Sequence, residues 1–330
     1  MPQSYRKKKG ELDTKEIFSI LDQLRDIGCF YLGFTGGEPF VRKDIMDIFR
    51  YAKKKGFEII IYTNGSLIGA EIAKELSTLR PNKVDITIPA MSKENFERIT
   101  QMPGSHKKVF GAIDLLHKKK INLGFKSCVL KENEEEIEDI QEFAASLGAL
   151  HRLDDALFPR LDGSEEPYHY RGKRKNPFLV IRRTKDTDQK ENIDCDLRLL
   201  YDKKPGFDSL FKCGVGVSQA AITPVGELKP CLMIDYFKYN ILENSLKLAW
   251  DNLKKAINRI KPDKNYLCKS CKLSPYCKWC PAKSWLYNRS FTACDSESRS
   301  RAEHRRQLLN SCTLHATRST SHAKNVKPVA

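Results

Sequence analysis

The sequence lacks any long uninterrupted run of apolar residues, which excludes one broad class of protein. No stretch of its 330 residues approaches the ~18 consecutive apolar residues that a transmembrane helix requires. The amino-terminal stretch MPQSYRKKKGELDTKEI also lacks the apolar segment of a secretory signal peptide. We therefore expect a cytoplasmic protein without a membrane span.

Acidic residues are fewer than basic ones: the chain has 42 Asp and Glu and 58 Lys and Arg, which gives a formal net charge of +16. Such a balance favours an acidic partner, for example nucleic acid, an anionic cofactor or an acidic peptide. The runs Lys53–Lys55 and Lys118–Lys120, however, stand where helices are predicted to end, and cations there complement the helix dipole. Much of the excess charge is therefore expected on solvated helix ends.

The first half of the chain alternates between helical and strand periodicity. Asp13 and Glu16 predict a capping box at the start of an amphipathic helix that ends at Gly28. Five β-rich runs follow, separated by helical segments: CFYLGFT, FEIIIYT, KVDITIP, INLGFKSCVL and RLDDALF. Strand–helix alternation of this kind predicts an α/β fold with a parallel sheet of βαβ units.

Changes in periodicity and composition predict four segments. The α/β domain covers 1–162, and residues 163–212 lose periodicity and form a linker or bridge. A cysteine-rich domain follows over 213–295. Residues 296–330 contain seven Lys or Arg, two Glu and no aromatic residue, which predicts a disordered basic tail.

Seven of the eleven cysteines lie between Cys213 and Cys294. Disulfides are not expected in a reducing compartment, and CxxC pairs are common in both zinc and iron–sulfur sites. Here two CxxC pairs are five residues apart, whereas a zinc ribbon separates them by roughly fifteen to twenty. We favour two [4Fe–4S] clusters and keep zinc as the alternative. The predicted metal ligands are Cys213, Cys231, Cys268, Cys271, Cys277, Cys280 and Cys294.

A glycine-rich motif, TGGEP at 35–39, follows the first predicted strand, and YTNG at 62–65 closes the second. Glycines at the carboxyl end of a parallel strand let a ligand approach the backbone closely. The carboxylate of Glu38 would suit a cationic group such as an amino acid's ammonium. Taken singly, each motif is also compatible with a plain strand-to-helix turn.

Together, these two motifs and the downstream cysteines resemble the radical S-adenosylmethionine (radical SAM) enzymes that carry a SPASM domain. Cys213, twelve residues, Gly226, four residues and Cys231 fit the first part of the SPASM pattern. The other five cysteines fit the second part, with one residue fewer before Cys280. The resemblance implies a partial (β/α)6 TIM-like barrel that lacks its first strand, joined to a small cysteine-rich SPASM domain.

The resemblance also assigns residues to cofactors. It implies that 36–38 hold the methionine moiety of SAM and that Thr87 reaches the ribose. The full implied set for SAM is Gly36, Gly37, Glu38, Asn64, Thr87 and Asn133. One auxiliary cluster is assigned Cys213, Cys231 and Cys280, and the other Cys268, Cys271, Cys277 and Cys294. Because the first set has only three thiolates, its fourth position is open to another ligand or to substrate.

One element of the family is absent from this sequence. The family's CxxxCxxC loop leaves one iron of a [4Fe–4S] cluster free to bind SAM, and no such spacing occurs here. We therefore expect that the sequence begins after this loop and the first strand, and that it cannot initiate radical chemistry as written. Without the first strand, the sheet would also have an exposed edge.

The family resemblance predicts an oxidoreductase that modifies a peptide or protein by hydrogen abstraction, with an electron donor such as flavodoxin or ferredoxin. Leu232 stands where sulfatase-maturing relatives have an acidic residue, which disfavours that branch. Two alternatives remain: a zinc-binding nucleic-acid-binding protein, supported by the basic charge and by aromatics such as Tyr276 and Trp279, and a non-catalytic peptide-binding pseudoenzyme.

Overall fold

The main sheet of the protein is parallel and follows the order of the chain. The computed structural model describes residues 10–154, 156–172, 210–211 and 213–307. Its five-stranded sheet has the order β1-β2-β3-β4-β5, all parallel. The strands are β1 (Tyr31–Phe34), β2 (Glu58–Thr63), β3 (Lys83–Thr87), β4 (Leu123–Cys128) and β5 (Leu150–Asp154). The predicted parallel α/β fold is confirmed, and the sequential order is that of a segment of a (β/α) barrel.

Helices connect these strands. They are α1 (Thr14–Asp26), α2 (Ile45–Lys54), α3 (Ala70–Leu79), α4 (Lys93–Thr100), α5 (Ser105–Lys118) and α6 (Ile137–Ser146). The predicted capping box opens α1: the Asp13 carboxylate accepts from the Glu16 amide at 2.8 Å, and the Glu16 carboxylate accepts from the Asp13 amide at 2.7 Å. In the described part of the chain, no helix is both long and apolar enough to cross a membrane.

One face of the sheet packs against these helices. Ile59, Ile61, Val84, Ile86 and Phe125 are each 0% exposed and form its centre. Alternate residues of a strand point to opposite faces, so the remaining strand positions form a second face away from the helices. The side chains of the edge strand β1 are more exposed to solvent than those of β2 and β3.

A second core lies in the cysteine-rich half of the chain. It contains a three-stranded antiparallel sheet and two helices. These elements are β6 (Ala221–Ile222), β7 (Glu227–Lys229), β8 (Tyr239–Asn240), α7 (Leu246–Arg259) and α8 (Pro281–Asn288). Ile20 of α1 belongs to this core, whereas its neighbour Leu21 belongs to the first. Since the Gln23 side chain also accepts from the Leu246 amide at 2.9 Å, α1 connects the two cores.

The carboxyl-terminal prediction was wrong for residues 296–307, which form a helix, α9. Burial explains the difference: Ala302 is 0% and Arg305 5% exposed, and Arg305 Nη1 donates to the Tyr276 carbonyl at 3.0 Å. Basic composition alone did not show that these residues pack on the cysteine-rich domain. Residues 308–330 of the predicted tail, and most of the predicted bridge 163–212, lie outside the described residues.

His151 makes the stability of the sheet sensitive to acid. The hydroxyl of Ser127 donates to the Ile88 carbonyl at 2.5 Å, so its oxygen accepts from Nε2 of His151 at 3.0 Å. The other ring nitrogen, Nδ1, is buried and has no hydrogen-bond partner among the residues that the structure describes. Burial lowers the pKa of His151 to about 4, although nearby Asp85 partly opposes this effect.

We predict that the protein loses stability as the pH falls from about 6.5 to about 4, because only the unfolded imidazole binds a proton in that window. Across this pH range, the free energy of unfolding of the wild-type protein should fall by about 2 kcal/mol more than that of His151→Gln. Urea unfolding at several pH values measures both proteins, and parallel pH profiles would contradict the prediction.

Candidate functional site

The carboxylate of Glu38 connects the loops that follow β1 and β2. It accepts from Oγ1 of Thr63 at 2.8 and 2.9 Å and from the backbone amide of Asn64 at 2.7 Å. The Phe40 amide donates to it at 3.2 Å. Both oxygens of Glu38 are therefore engaged, and the predicted motifs TGGEP and YTNG are brought together by this side chain.

Beside this link, the chain presents open backbone. Gly36 and Gly37 are exposed, and a Cβ atom at Gly36 would meet no heavy atom within 4 Å. Gly65 has a φ of +75°, which favours glycine, and its amide donates to Oγ1 of Thr63 at 2.9 Å. Asn64 is exposed, and its side-chain oxygen accepts from a backbone amide two residues on. A ligand can thus reach the main chain at the carboxyl ends of these two strands.

Asn133 connects the loops that follow β3 and β4. It is 1% exposed, and its Nδ2 donates to the carbonyls of Pro89 at 2.6 Å and Cys128 at 2.8 Å. Its Oδ1 accepts from the Leu130 amide at 2.8 Å. These contacts give Asn133 a structural role, and the predicted contact with SAM stays a prediction. Thr87, half-buried at the end of β3, lies at the same edge of the sheet.

The sheet face that points away from the helices carries polar and charged side chains. In the strand register, Tyr62 pairs with Asp85, Thr87 with Lys126, and Lys126 with Arg152. Paired residues of parallel strands point to the same side, so these five side chains share one surface, which we call the polar face.

Two cations of the polar face, Lys126 and Arg152, are adjacent in the strand register. The nearby carboxylate of Asp85 forms an ion pair with Lys83, whose Nζ lies 3.4 Å away. Nζ of Lys126 instead lies over the Tyr62 ring, 5.1 Å from its centre. Burial lowers the pKa of Lys126, Asp85 raises it, and the like charge of Arg152 lowers it. Within the described ranges, neither Lys126 nor Arg152 forms an ion pair with a carboxylate.

The thiols of the cysteine-rich domain form two groups. Burial raises the pKa of Cys280, and electrostatic interaction with Cys213 and Cys231 raises it further. In the second group, burial raises the pKa of Cys294, with a further contribution from Cys271. Burial also raises the pKa of Cys277, and Cys294 adds to that effect. Cys268 precedes this group by one turn, where its carbonyl accepts from the amide of Cys271 at 3.4 Å.

These thiols are chemically suited to bind metal. The nine described cysteines are all free, so none is used in a disulfide. Backbone amides of Lys283 and Ala282 hydrogen-bond the Cys280 sulfur and thereby favour its thiolate, the form that ligates metals. In the ranges that the structure covers, however, no three Cys, His, Asp or Glu side chains stand close enough to hold one metal ion. Cys195 and Cys312 lie outside the described residues.

Comparison with known protein families identifies the first half of the chain. Residues 2–144 match the Radical SAM superfamily. The chain contains a radical SAM domain. The matched region includes TGGEP, YTNG and strands β1–β4, so the resemblance inferred from the sequence is confirmed for this domain.

Two relatives are similar over most of the chain. The AdoMet-dependent heme synthase of Methanosarcina barkeri is 26% identical over 298 residues, which are 84% of this chain and 84% of the relative. The PqqA peptide cyclase of Rhizobium meliloti is 22% identical over 80% of this chain and 72% of its own length. Other relatives match over only 32–38% of their own length.

A solved structure shares the fold beyond the radical SAM domain. Streptococcus suis SuiB bound to precursor peptide SuiA superimposes with a TM-score of 0.61 at 15% sequence identity. The similarity covers 89% of this chain and 71% of SuiB. The fold resemblance therefore extends into the cysteine-rich half.

The polar face of the radical SAM domain was missed in the sequence, although a signal was present. KVDIT places Asp85 between two apolar residues, and LGFKSC places Lys126 between Phe125 and Ser127, each inside a predicted strand. Alternation with a period of two puts Asp85 and Lys126 opposite the helix-packed face. What the sequence could not supply is the register that sets Lys126 beside Arg152.

We predict that the hydroxyl of Thr63 holds the TGGEP loop. Thr63→Val removes the donor to Glu38 and the acceptor for Gly65, and should lower the free energy of unfolding by about 1–3 kcal/mol. Thr63→Ser keeps the hydroxyl and is the matched control, with an expected smaller loss of about 0.5–1 kcal/mol. Urea unfolding measures both, and equal losses would assign the effect to packing of the methyl group.

Proposed function

We propose that this chain belongs to a cytoplasmic radical SAM enzyme that modifies a peptide or protein and carries two auxiliary [4Fe–4S] clusters. The radical SAM domain carries this proposal, because the family uses SAM and a [4Fe–4S] cluster to generate the radical that abstracts hydrogen. A peptide substrate is supported by the relative named PqqA peptide cyclase and by SuiB, whose structure contains its precursor peptide.

The open backbone beside Glu38 supports a place for SAM. Exposed amides and carbonyls at Gly36 and Gly37 would hold the methionine end, and Thr87 at the same edge of the sheet would face the ribose. The link between Glu38 and Thr63 would keep this loop in place before SAM binds. The CxxxCxxC ligands of the SAM-binding cluster are not among these 330 residues, so no residue of this chain is assigned to that cluster.

The two thiol groups support the auxiliary clusters and a SPASM assignment for 213–295. A [4Fe–4S] cluster binds each thiolate to a different iron, so its ligands stand farther apart than those around one zinc ion. The thiols fall into two separate sets of neighbours, which suits two such clusters. We assign Cys213, Cys231 and Cys280 to one cluster; the other is assigned Cys268, Cys271, Cys277 and Cys294. A flavodoxin or ferredoxin would supply the electrons.

The polar face supports a substrate with an acidic group. Lys126 and Arg152 are adjacent in register and have no carboxylate partner in the described residues. Neighbouring like charges repel each other, and a bound carboxylate would relieve this repulsion through charge-assisted hydrogen bonds. An acidic side chain or the terminal carboxylate of a peptide would meet this requirement.

A second candidate substrate is a heme precursor. The observation that favours it is the match to AdoMet-dependent heme synthase, which spans 84% of both chains. Tetrapyrroles also carry carboxylates, so Lys126 and Arg152 would suit this substrate as well.

The metal content tests the cluster assignment. After anaerobic reconstitution, we predict roughly eight irons per chain with equivalent acid-labile sulfide. Cys213→Ser should lower both to about four, whereas Cys29→Ser, the control outside the thiol groups, should leave them unchanged. Zinc without sulfide would contradict the assignment and favour a zinc-binding protein.

Porphyrin binding distinguishes the two substrates. Metal-free coproporphyrin III carries carboxylates and no iron, so thiols cannot bind it through a metal. The heme-precursor candidate predicts saturable binding by fluorescence titration, weakened at least about tenfold by Lys126→Met because a charge-assisted contact is lost. The peptide proposal predicts no saturable binding, and Lys93→Met on α4 serves as a matched control.

A further inference from the structure

A buried ion pair lies inside the cysteine-rich domain. Nζ of Lys283 is 3.3 Å from Oδ1 of Asp295, and their side chains are only 5% and 1% exposed. Removing two charges from water costs more than their attraction usually returns, so such a pair adds little stability by itself. Its presence calls for another explanation.

The two residues of the pair follow thiols of different groups in the sequence. Cys280 is the N-cap residue of α8, and Lys283 is the third residue of that helix. Asp295 directly follows Cys294 and immediately precedes α9. One partner is thus close in sequence to a thiol of the first group, and the other is adjacent to a thiol of the second.

The surroundings fix both charges in position. The Ser298 amide donates to Oδ1 of Asp295 at 2.7 Å. The ammonium of Lys283 lies 5.5 Å from the ring centre of Phe158 and 5.7 Å from that of Tyr287. A charge held this way, away from solvent, acts on its neighbours with little screening.

Asp295 also lies against the sulfur of Cys294. The thiol of Cys294 donates to the Asp295 carbonyl at 3.6 Å, and the Asp295 carboxylate is the ion-pair partner of Lys283. A cluster bound through this sulfur would therefore experience the opposed fields of the two charges.

We propose that Lys283 and Asp295 set the reduction potential of the auxiliary cluster assigned to Cys268, Cys271, Cys277 and Cys294. This inference rests on the proposed function, because it requires that cluster. Reduction adds one negative charge to the cluster, so the Lys283 cation favours the reduced form and the Asp295 carboxylate favours the oxidised form. Net charge and nearby groups are established determinants of iron–sulfur potentials.

An EPR-monitored redox titration tests the proposal on the full chain, reconstituted anaerobically. A Cys213→Ser background removes the other cluster, so one signal remains. Lys283→Met should shift the potential to more negative values, and Asp295→Asn should shift it to more positive values. Lys283→Arg keeps the charge and should restore a potential near that of the parent, whereas the double variant should lie between the two single variants.

An exposed cation provides the control. The side chain of Arg299, five residues after Cys294, is 70% exposed, so solvent screens its charge. Arg299→Gln should therefore shift the potential less than Lys283→Met does.

The outcomes separate this inference from the proposed function. Shifts of opposite sign support it, because loss of a purely structural contact would disturb the cluster in the same direction from either partner. Unchanged potentials, or shifts of the same sign, with full iron and sulfide overturn it. If Lys283→Met fails to retain iron, the Asp295→Asn shift decides between the outcomes: a shift to more positive potential supports the inference, and a negative shift or none overturns it. Absence of iron and sulfide from the parent protein would instead overturn the auxiliary clusters themselves.

Discussion

The parallel register of β1–β5 is the constraint on which the first half of the structure depends. Parallel strands bring all their carboxyl ends to one edge, so TGGEP, YTNG and Thr87 meet there although they are far apart in the chain. Burial of the aliphatic face under the helices fixes this register, because a slip of one residue would place apolar side chains on the polar face. The same constraint places Lys126 next to Arg152.

Side-chain hydrogen bonds then connect neighbouring loops at that edge. Glu38 connects the loops after β1 and β2, and Asn133 connects those after β3 and β4. Glu136 accepts from the amides of Met91 and Ser92 at 2.6 and 2.8 Å. It thereby adds a second connection between the loops after β3 and β4. Polar groups that make several hydrogen bonds between loops, as these do, restrict a loop to one conformation. The edge that would receive SAM is therefore largely organised without it.

In the cysteine-rich domain, the ionisation of the thiols matters more than the size of the apolar core. The core is small, and burial opposes the ionisation of Cys231, Cys277, Cys280 and Cys294. Binding of the proposed clusters would reverse this cost, because a metal stabilises the thiolate directly. Helices α8 and α9 add backbone amides and buried charges around the two thiol groups.

The sequence by itself determined the local features of this protein. Period-two and period-3.6 patterns gave the five strands and their helices, the capping box identified the start of α1, and motif spacing led to the radical SAM domain. These features depend on neighbours within a few residues, so local chemistry decides them.

Only the tertiary structure decided the contacts between distant residues. It assigned Asn133 a structural role, gave Glu38 its partner Thr63, and showed that 296–307 fold as a helix against the domain. It also brought Lys283 to Asp295 in a buried ion pair. Such pairs depend on register and packing across the whole chain, which no local pattern of residues encodes.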